Sequence, residues 1–177
     1  MARPKVYVTR KLPSPGLEIV SEVCDVILHQ DDRPPSREEI LKNIFDKDGI
    51  LCLLTDKMDS VVMDAALKLK VISSVSVGYD HIDVAAATKR GIYVTYTPGV
   101  LTEATADFTW TLMMSIARRL CEADRYVRAG RWKISWSPTM MLGEDVYGRT
   151  LGIIGLGRIG AAMAKRARGF NMKVLYY

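Results

Sequence analysis

Hydrophobic residues recur in the first hundred positions as five short runs rich in β-branched side chains. The runs are Lys5 to Thr9, Asp25 to His29, Gly49 to Leu54, Val71 to Val75 and Ile92 to Thr95. Runs of this length predict β-strands. Between them, Ser36 to Phe45 and Asp59 to Lys68 have capping residues and apolar spacing that predict helices. The alternation of strand and helix predicts an α/β fold whose parallel sheet is covered on both faces.

The pattern changes at Thr102, where apolar positions take helical spacing until about Arg128. We expect one long helix, with Thr102 as its N-cap and Gly130 just beyond its end. Its apolar residues fall on one face: Phe108, Leu112, Met113, Ile116 and Leu120.

The segment from Arg131 to Tyr147, called the arm below, has no clear period but contains Trp132 and Trp136. It is too apolar for a simple exposed linker. Either the arm packs as a loop on its own domain, or its tryptophans are buried against a partner subunit. The second alternative predicts a homodimer.

A glycine motif follows a strand-like run and precedes a helix. Arg149 to Ile154 has the pattern of a buried strand, and Met172 to Tyr177 predicts a second strand after the helix. The motif consists of Gly155, Leu156, Gly157, Arg158, Ile159 and Gly160. In this context GxGxxG predicts a dinucleotide site: the first glycine makes the tight turn, the second admits a pyrophosphate and the third allows close packing of helix on strand. The N-terminus of the helix, near Arg158, offers unpaired N–H groups to phosphate.

The choice between NAD and NADP is left open by this sequence. The deciding residues are expected just beyond the second strand, about 20 residues after the glycines, and the chain stops at Tyr177. An acidic residue there favours NAD, and basic or small polar residues favour NADP. We therefore expect residues 101–177 to be the start of a truncated Rossmann domain.

Composition narrows the class of protein further. The chain has 49% hydrophobic and 25% charged residues, as globular domains do, and its longest apolar run, Ile50 to Leu54, is far below the ~18 residues of a membrane span. Cys24, Cys52 and Cys121 form no CxxC pair, and with two histidines, His29 and His81, a metal site is not expected. We expect a cytoplasmic protein that does not bind a membrane.

The net charge of +5 is concentrated in the second part of the chain. Residues 1–100 carry 13 basic and 14 acidic side chains, whereas residues 101–177 carry 12 and 6. The basic residues lie on helix-like segments without interleaved stacking aromatics, which indicates solvated helix faces rather than a nucleic-acid site.

Several long motifs in one order resemble the D-isomer-specific 2-hydroxyacid dehydrogenases, most closely their archaeal-type glyoxylate reductase branch. These motifs span Ser76 to Asp83, Ala87 to Val94, Thr97 to Asp107 and Asp145 to Gly160. The resemblance covers the whole chain. It implies a flavodoxin-like substrate domain over residues 1–100, and over residues 101–177 the interdomain helix, dimerisation arm and first βαβ unit of the NAD(P)-binding Rossmann domain.

The resemblance also implies site residues. The backbone amides of Val77 and Gly78 would hold the substrate carboxylate, and Leu54 and Thr55 would line the substrate pocket. Two consecutive N–H groups at a strand end form an anion nest, which suits that role. Thr102 would contact the nicotinamide side of the cofactor, and residues 156–159 would bind its pyrophosphate.

For catalysis, the family resemblance implies an arginine, a glutamate and a histidine, and no residue of these 177 matches them. We do not assign His81 or His29 to catalysis: His81 is expected to cap a helix or lie at the surface, and His29 to be structural. The resemblance implies reduction of glyoxylate or a similar 2-keto acid such as hydroxypyruvate, with the 177-residue chain itself inactive. Phosphoglycerate oxidation, a non-catalytic nucleotide-sensing or interaction role, and an inactive fragment remain alternatives.

Overall fold

The computed structural model describes residues 2–177, and the chain divides into two compact units, Met1–Pro98 (unit 1) and Gly99–Tyr177 (unit 2). The sheet of unit 1 has five parallel strands in the order β2-β1-β3-β4-β5, which is the flavodoxin-like order. The strands are β1 Lys5–Val8, β2 Asp25–Leu28, β3 Gly49–Cys52, β4 Val71–Ser74 and β5 Tyr93–Thr95. All five runs predicted as strands are strands, so the predicted α/β fold class is confirmed.

Four short helices connect these strands. They are α1 Gly16–Val23, α2 Arg37–Ile44, α3 Ser60–Ala65 and α4 Val84–Lys89. The predicted cap at Ser36 is confirmed: its hydroxyl accepts from the Glu39 N–H, and the Glu39 carboxylate accepts from the Ser36 N–H, a capping box. Helix α3 is shorter than predicted because the backbone leaves the helical region at Ala66.

The core of unit 1 lies between the sheet and these helices. Its fully buried side chains include Tyr7, Ile44, Ile50, Met58, Val62 and Ile72. Burying each such aliphatic side chain contributes about 1.5 to 3 kcal/mol, so this core is a large source of the unit's stability.

Unit 2 contains a parallel βαβ unit built from β6 Thr150–Ile153, α7 Arg158–Gly169 and β7 Lys173–Tyr176. Helix α5 packs against α7 through Ala106, Ala162 and Met163, and the Trp110 ring lies 4.9 Å from that of Phe170. The strand, glycine turn, helix and strand predicted around the GxGxxG motif are therefore confirmed.

The prediction of one long helix is wrong. Two helices, α5 Thr102–Ala117 and α6 Leu120–Arg128, are separated at Arg119, whose φ of 54° lies in the left-handed region. Thr102 is the first helical residue rather than the N-cap. Leu101 takes the cap position, and the Thr102 N–H bonds to the Gly99 carbonyl in the preceding turn at 3.2 Å.

The apolar face predicted for the long helix does not pack on α7. Phe108 and Ile116 are exposed, whereas the small Ala106 lets α7 approach closely and is fully buried.

In the arm, Trp136 is 75% exposed. No helix among residues 2–177 is both long and apolar enough to cross a membrane.

Candidate functional site

The predicted substrate residues lie at the carboxyl edge of the unit 1 sheet. Leu54 and Thr55 follow β3, and Val77 and Gly78 follow β4. Strands β3 and β4 are parallel neighbours with Cys52 opposite Ser74, so both loops emerge at the same edge. Leu54 and Val77 are exposed there, and the structure thus brings all four predicted residues to one edge of unit 1.

The backbone at Val77 is oriented by a bond on its other side. The Ser76 carbonyl accepts from the Thr97 N–H at 2.9 Å and from the Thr97 hydroxyl at 3.0 Å. Because the carbonyl of Ser76 and the N–H of Val77 belong to one trans peptide, that N–H points away from Thr97. Neither it nor the Gly78 N–H has a hydrogen-bond partner among residues 2–177, so both donors are available to an anion.

Gly78 places no side chain at the carboxyl edge of the unit 1 sheet. A Cβ at this position would meet only the Asp80 carboxylate, at 3.5 Å, which is ordinary contact. The protein's own packing therefore does not require glycine here. What glycine provides here is the absence of a side chain beside the two backbone donors.

A buried carboxylate holds the loop that carries Leu54 and Thr55. Asp56 is 1% exposed and accepts from the Thr9 hydroxyl at 2.5 Å and from the Leu53 N–H at 2.9 Å. It also pairs with Arg10 at 3.4 Å. These bonds close the turn from Leu53 to Asp56. The sequence reasoning missed this cluster, although polar residues directly after two adjacent strands were its signal.

His81 does not play the role expected of it. Asp83, not His81, caps α4 by accepting from the Ala86 N–H at 2.8 Å. The His81 ring lies inward, with Nε2 2.9 Å from the Ser74 hydroxyl. Burial lowers the pKa of His81 below 6.5, while Asp56 and Asp80 act in the opposite direction.

Cys52, at the end of β3, is not a candidate nucleophile. It is fully buried, and burial raises the pKa of its thiol to about 12. A thiol with such a pKa is protonated at neutral pH and is chemically inert.

In unit 2 the three glycines of the motif differ in what requires them. Gly155 has φ +88°, which L side chains rarely adopt. A Cβ at Gly160 would lie 2.3 Å from the Gly155 carbonyl oxygen. A Cβ at Gly157 would meet nothing within 4 Å. Gly155 and Gly160 are thus required by the fold, whereas Gly157 borders open space of the kind a pyrophosphate needs.

Helix α7 begins at this open space. Gly157 is its N-cap, and the first intrahelical bond runs from the Ala161 N–H to the Gly157 carbonyl at 2.9 Å. The N–H groups of Arg158, Ile159 and Gly160 consequently have no helical partner. Leu156 and the Arg158 side chain are exposed beside them. Unpaired donors at a helix N-terminus fit the phosphates of a dinucleotide.

Thr102 lies at the same end of unit 2 as the glycine motif. Arg166 of α7 pairs with Glu103 at 2.8 Å and with Asp107, and further along the two helices Trp110 contacts Phe170. These contacts advance together along both helices, so α5 and α7 are parallel and their N-termini share one end. The two carboxylates raise the pKa of Arg166, which is therefore a permanent cation in this link.

Side chains that could bind a metal ion do not gather in the described part of the chain. Residues 2–177 contain no group of three or more His, Cys, Asp or Glu residues placed to hold one. The candidate sites consist instead of backbone donors and glycines.

Comparison with known proteins agrees with this arrangement of a parallel sheet and a glycine motif. The model of the catalytic domain of D-isomer specific 2-hydroxyacid dehydrogenases matches residues 6–172. The chain therefore belongs to this family.

Individual relatives carry more specific names. The chain is 60% identical, over all of its length, to a glyoxylate reductase of Thermofilum pendens, of which it covers 52%. Among solved structures, the TT0316 protein of Thermus thermophilus matches 97% of the chain and 55% of its own, with a TM-score of 0.92 and 47% identity. D-lactate dehydrogenase of Aquifex aeolicus, complexed with NAD and lactic acid, matches 98% of the chain and 50% of its own, with a TM-score of 0.78 and 25% identity. The chain thus spans about half the length of these relatives.

The Asp56 cluster generates a stability prediction. Replacing Asp56 with alanine removes the buried carboxylate that accepts from the Thr9 hydroxyl and the Leu53 N–H and that pairs with Arg10. We expect the free energy of unfolding to fall by about 3 kcal/mol, as when one partner of a buried ion pair is removed. Urea denaturation measures this. Asp25→Ala is the control, because Asp25 is exposed and its pair with Arg3 is long, at 3.6 Å; an equal loss in both variants would contradict the prediction.

The lowered pKa of His81 predicts a dependence of stability on pH. Its pKa is below 6.5 in the folded protein, so the unfolded chain binds the proton more tightly. The contribution of neutral His81 to the free energy of unfolding is therefore complete above about pH 6.5. It is lost as the pH falls toward the pKa of His81 in the folded protein. Urea midpoints between pH 7.5 and 5 should fall less in His81→Gln than in the wild type. A parallel decline in both proteins would show that His81 is not responsible.

Proposed function

We propose that the protein to which this chain belongs is an oxidoreductase that transfers hydride between NAD(P)H and glyoxylate or a similar small 2-keto acid such as hydroxypyruvate. Residues 1–100 would form the substrate domain and residues 101–177 the first part of the cofactor domain. The observation that carries the proposal is the contrast within the glycine motif, where Gly160 is packed against backbone and Gly157 faces open space. Family membership supports the reaction class.

On the substrate side, the N–H groups of Val77 and Gly78 would donate to the substrate carboxylate. They belong to consecutive peptides, and the first is aimed by the two bonds of Thr97 to the Ser76 carbonyl. Leu54 and Thr55 would line the pocket beside them, and the Arg10 guanidinium lies 3.1 Å from the Thr55 hydroxyl. A bound carboxylate would then have a defined position and a cation nearby.

On the cofactor side, the N–H groups at the start of α7 would bind the pyrophosphate, with Gly157 admitting it. Thr102, at the same end of unit 2, would contact the nicotinamide side. When bound, the nicotinamide cofactor supplies or accepts the hydride. The choice between NAD and NADP stays open, because the residues after β7 decide it.

No residue of the chain is assigned to proton transfer. The arginine, glutamate and histidine that the family resemblance implies have no match among the 177 residues, and Cys52 is buried and protonated. We therefore propose that the chain by itself binds but does not turn over substrate.

Discrimination between glyoxylate and hydroxypyruvate is expected to be small. The two acids differ by a hydroxymethyl group, and a pocket without dedicated hydrogen bonds separates such compounds by only about 1 to 3 kcal/mol. The proposal therefore names a substrate class rather than one acid.

We also propose a homodimer in which the arm and α5 contribute to the interface. Trp132 and Trp136 are 54% and 75% exposed, and Phe108, Leu112 and Ile116 of α5 are exposed as well. Aromatic side chains in exposed apolar patches mark interaction surfaces. The three cysteines are unpaired, which suits a reducing compartment such as the cytoplasm.

The glycine contrast generates a binding prediction. Gly157→Val places a branched side chain at a position where its Cβ meets no protein atom within 4 Å, so we expect cofactor binding to be lost while the fold is kept. Titration of the chain with NADH and NADPH, followed by fluorescence, measures the first effect, and circular dichroism the second. Unchanged affinity in this variant would remove the dinucleotide assignment.

Gly152→Ala is the matched control for this experiment. It lies in β6, and an added Cβ there also meets nothing within 4 Å. Cofactor affinity should therefore match the wild type. A loss of binding in both variants would indicate a general disturbance of unit 2 rather than a filled pyrophosphate site.

The exposed tryptophans generate a prediction about assembly. Trp136→Ala should weaken dimerisation by about thirtyfold or more, since a buried interface tryptophan often contributes at least 2 kcal/mol. Analytical ultracentrifugation across micromolar concentrations measures the change. Tyr93→Ala is the control, because Tyr93 is similarly exposed, at 76%, but lies in unit 1. If the wild-type protein to which this chain belongs sediments as a monomer, the proposed dimer is refuted.

A further inference from the structure

A chain of hydrogen bonds runs beneath the loop that carries Val77 and Gly78. The His81 Nε2 lies 2.9 Å from the Ser74 hydroxyl, which lies 2.6 Å from the Ser76 hydroxyl. The Ser76 hydroxyl lies 2.7 Å from the carbonyl oxygen of Gly78. Ser74 and Ser76 are 1% and 5% exposed, so both hydroxyls are shielded from water.

The direction of every bond in this chain, called the relay below, is fixed by the carbonyl at its end. A carbonyl oxygen only accepts, so the Ser76 hydroxyl donates its single hydrogen to the Gly78 carbonyl. The Ser76 oxygen must then accept a hydrogen bond from the Ser74 hydroxyl, whose single hydrogen is used in that bond. The Ser74 oxygen must in turn accept from His81, so His81 carries a proton on Nε2.

The relay ends on the peptide that follows the proposed carboxylate site. Thr97 holds the Ser76 carbonyl on one side of the Val77 and Gly78 donors, and the relay holds the Gly78 carbonyl on the other. The peptide that carries the Val77 N–H and the peptide that follows the Gly78 N–H are thus both held before a ligand arrives. A donor pair that is held in advance loses less entropy on binding than a mobile one.

We propose that Ser76, supported by Ser74 and the Nε2–H of His81, is a positioning residue that holds the backbone donors of Val77 and Gly78 in the orientation that binds a substrate carboxylate. This inference rests on the proposed function of that loop. The residues of the relay touch no substrate; they act through the Gly78 carbonyl.

Alternative roles for these groups agree less well with the geometry. A hydroxyl that donates to Gly78 has no hydrogen left to offer a substrate. His81 reaches inward to Ser74, and the acidic groups that face it are Asp56 and Asp80. A purely structural role remains the competing explanation, so the test must report on carboxylate binding as well as on stability.

The experiment titrates the isotope-labelled 177-residue chain with sodium glyoxylate and follows the Val77 and Gly78 amide signals by NMR. In the wild type both signals should shift. Ser76→Ala should weaken binding about fivefold, the value of one hydrogen bond, and should move the Gly78 signal in the absence of ligand. Ser76→Thr keeps the hydroxyl and should restore binding to within about twofold of the wild type.

Ser73→Ala is the matched control. Ser73 lies one residue before Ser74 on the same strand, and its hydroxyl accepts from Thr95 at 2.9 Å instead of joining the relay. Binding should be unchanged in this variant. The amide spectrum of each variant shows whether it is folded, so a loss of binding can be separated from a loss of structure.

Two substitutions of His81 test the direction of the relay. In His81→Gln the side-chain amide nitrogen replaces Nε2 as the donor to Ser74, so binding should be retained. In His81→Asn the shorter amide does not reach, and binding should weaken about as much as in Ser76→Ala. The reverse order, or a wild-type His81 protonated on Nδ1 alone in long-range proton–nitrogen spectra, would overturn the assignment.

Failure of the inference differs from failure of the proposed function. If the wild-type Val77 and Gly78 signals do not respond to glyoxylate, the carboxylate site itself is wrong, and the relay has no binding role. If they respond equally in the wild type, Ser76→Ala and Ser73→Ala, the site stands and the positioning role is refuted.

Discussion

Because the strands of unit 1 are parallel, every loop that follows a strand lies at the same edge of the sheet. Buried polar side chains are concentrated at this edge. Five polar or charged side chains are buried among residues 2–177, and four of them lie at this edge: Thr9, Asp56, Ser74 and Ser76. A buried polar group that lacks a partner costs about 1 to 3 kcal/mol. Each of these four has one, Thr9 with Asp56 and Ser74 with Ser76. The pairing fixes the loops that carry Leu54, Thr55, Val77 and Gly78.

The two candidate binding sites share one chemical strategy, in that both present backbone N–H groups rather than charged side chains. At Val77 and Gly78 the donors are oriented by hydrogen bonds to neighbouring carbonyls. At the start of α7 they are oriented by the helix itself. A backbone donor keeps its partial charge at every pH, so anion binding at these places would depend on the conformation of the loops rather than on a titrating group.

Periodicity was enough to predict the secondary structure that surrounds these sites. The five strands of unit 1 and the βαβ unit around Gly155 were predictable because β-branched runs and a spaced glycine motif are local signals. The break at Arg119 was not, because the helical spacing of apolar residues continues past it to Leu120. The predicted site residues Leu54, Thr55, Val77 and Gly78 came from resemblance. Thr9 and Asp56 follow adjacent strands, which was a usable signal for a polar cluster. The particular partners of Asp56 and His81 could not be predicted, since their bonds join residues of different strands and loops.

The break between α5 and α6 frees a carbonyl that a continuous helix would use. In one unbroken helix the Ala117 carbonyl would accept from Cys121, four residues on. It accepts instead from the Glu144 N–H at 2.8 Å, and the Arg119 side chain donates to the Leu142 carbonyl at 3.0 Å. Gly143 lies so close to this point that a Cβ would be 2.5 Å from the Ala117 oxygen. The end of the arm is therefore attached to the helix only because the helix stops. Over evolutionary time, substitutions that favoured an uninterrupted helix would detach the arm, so Arg119 and Gly143 should change together or not at all.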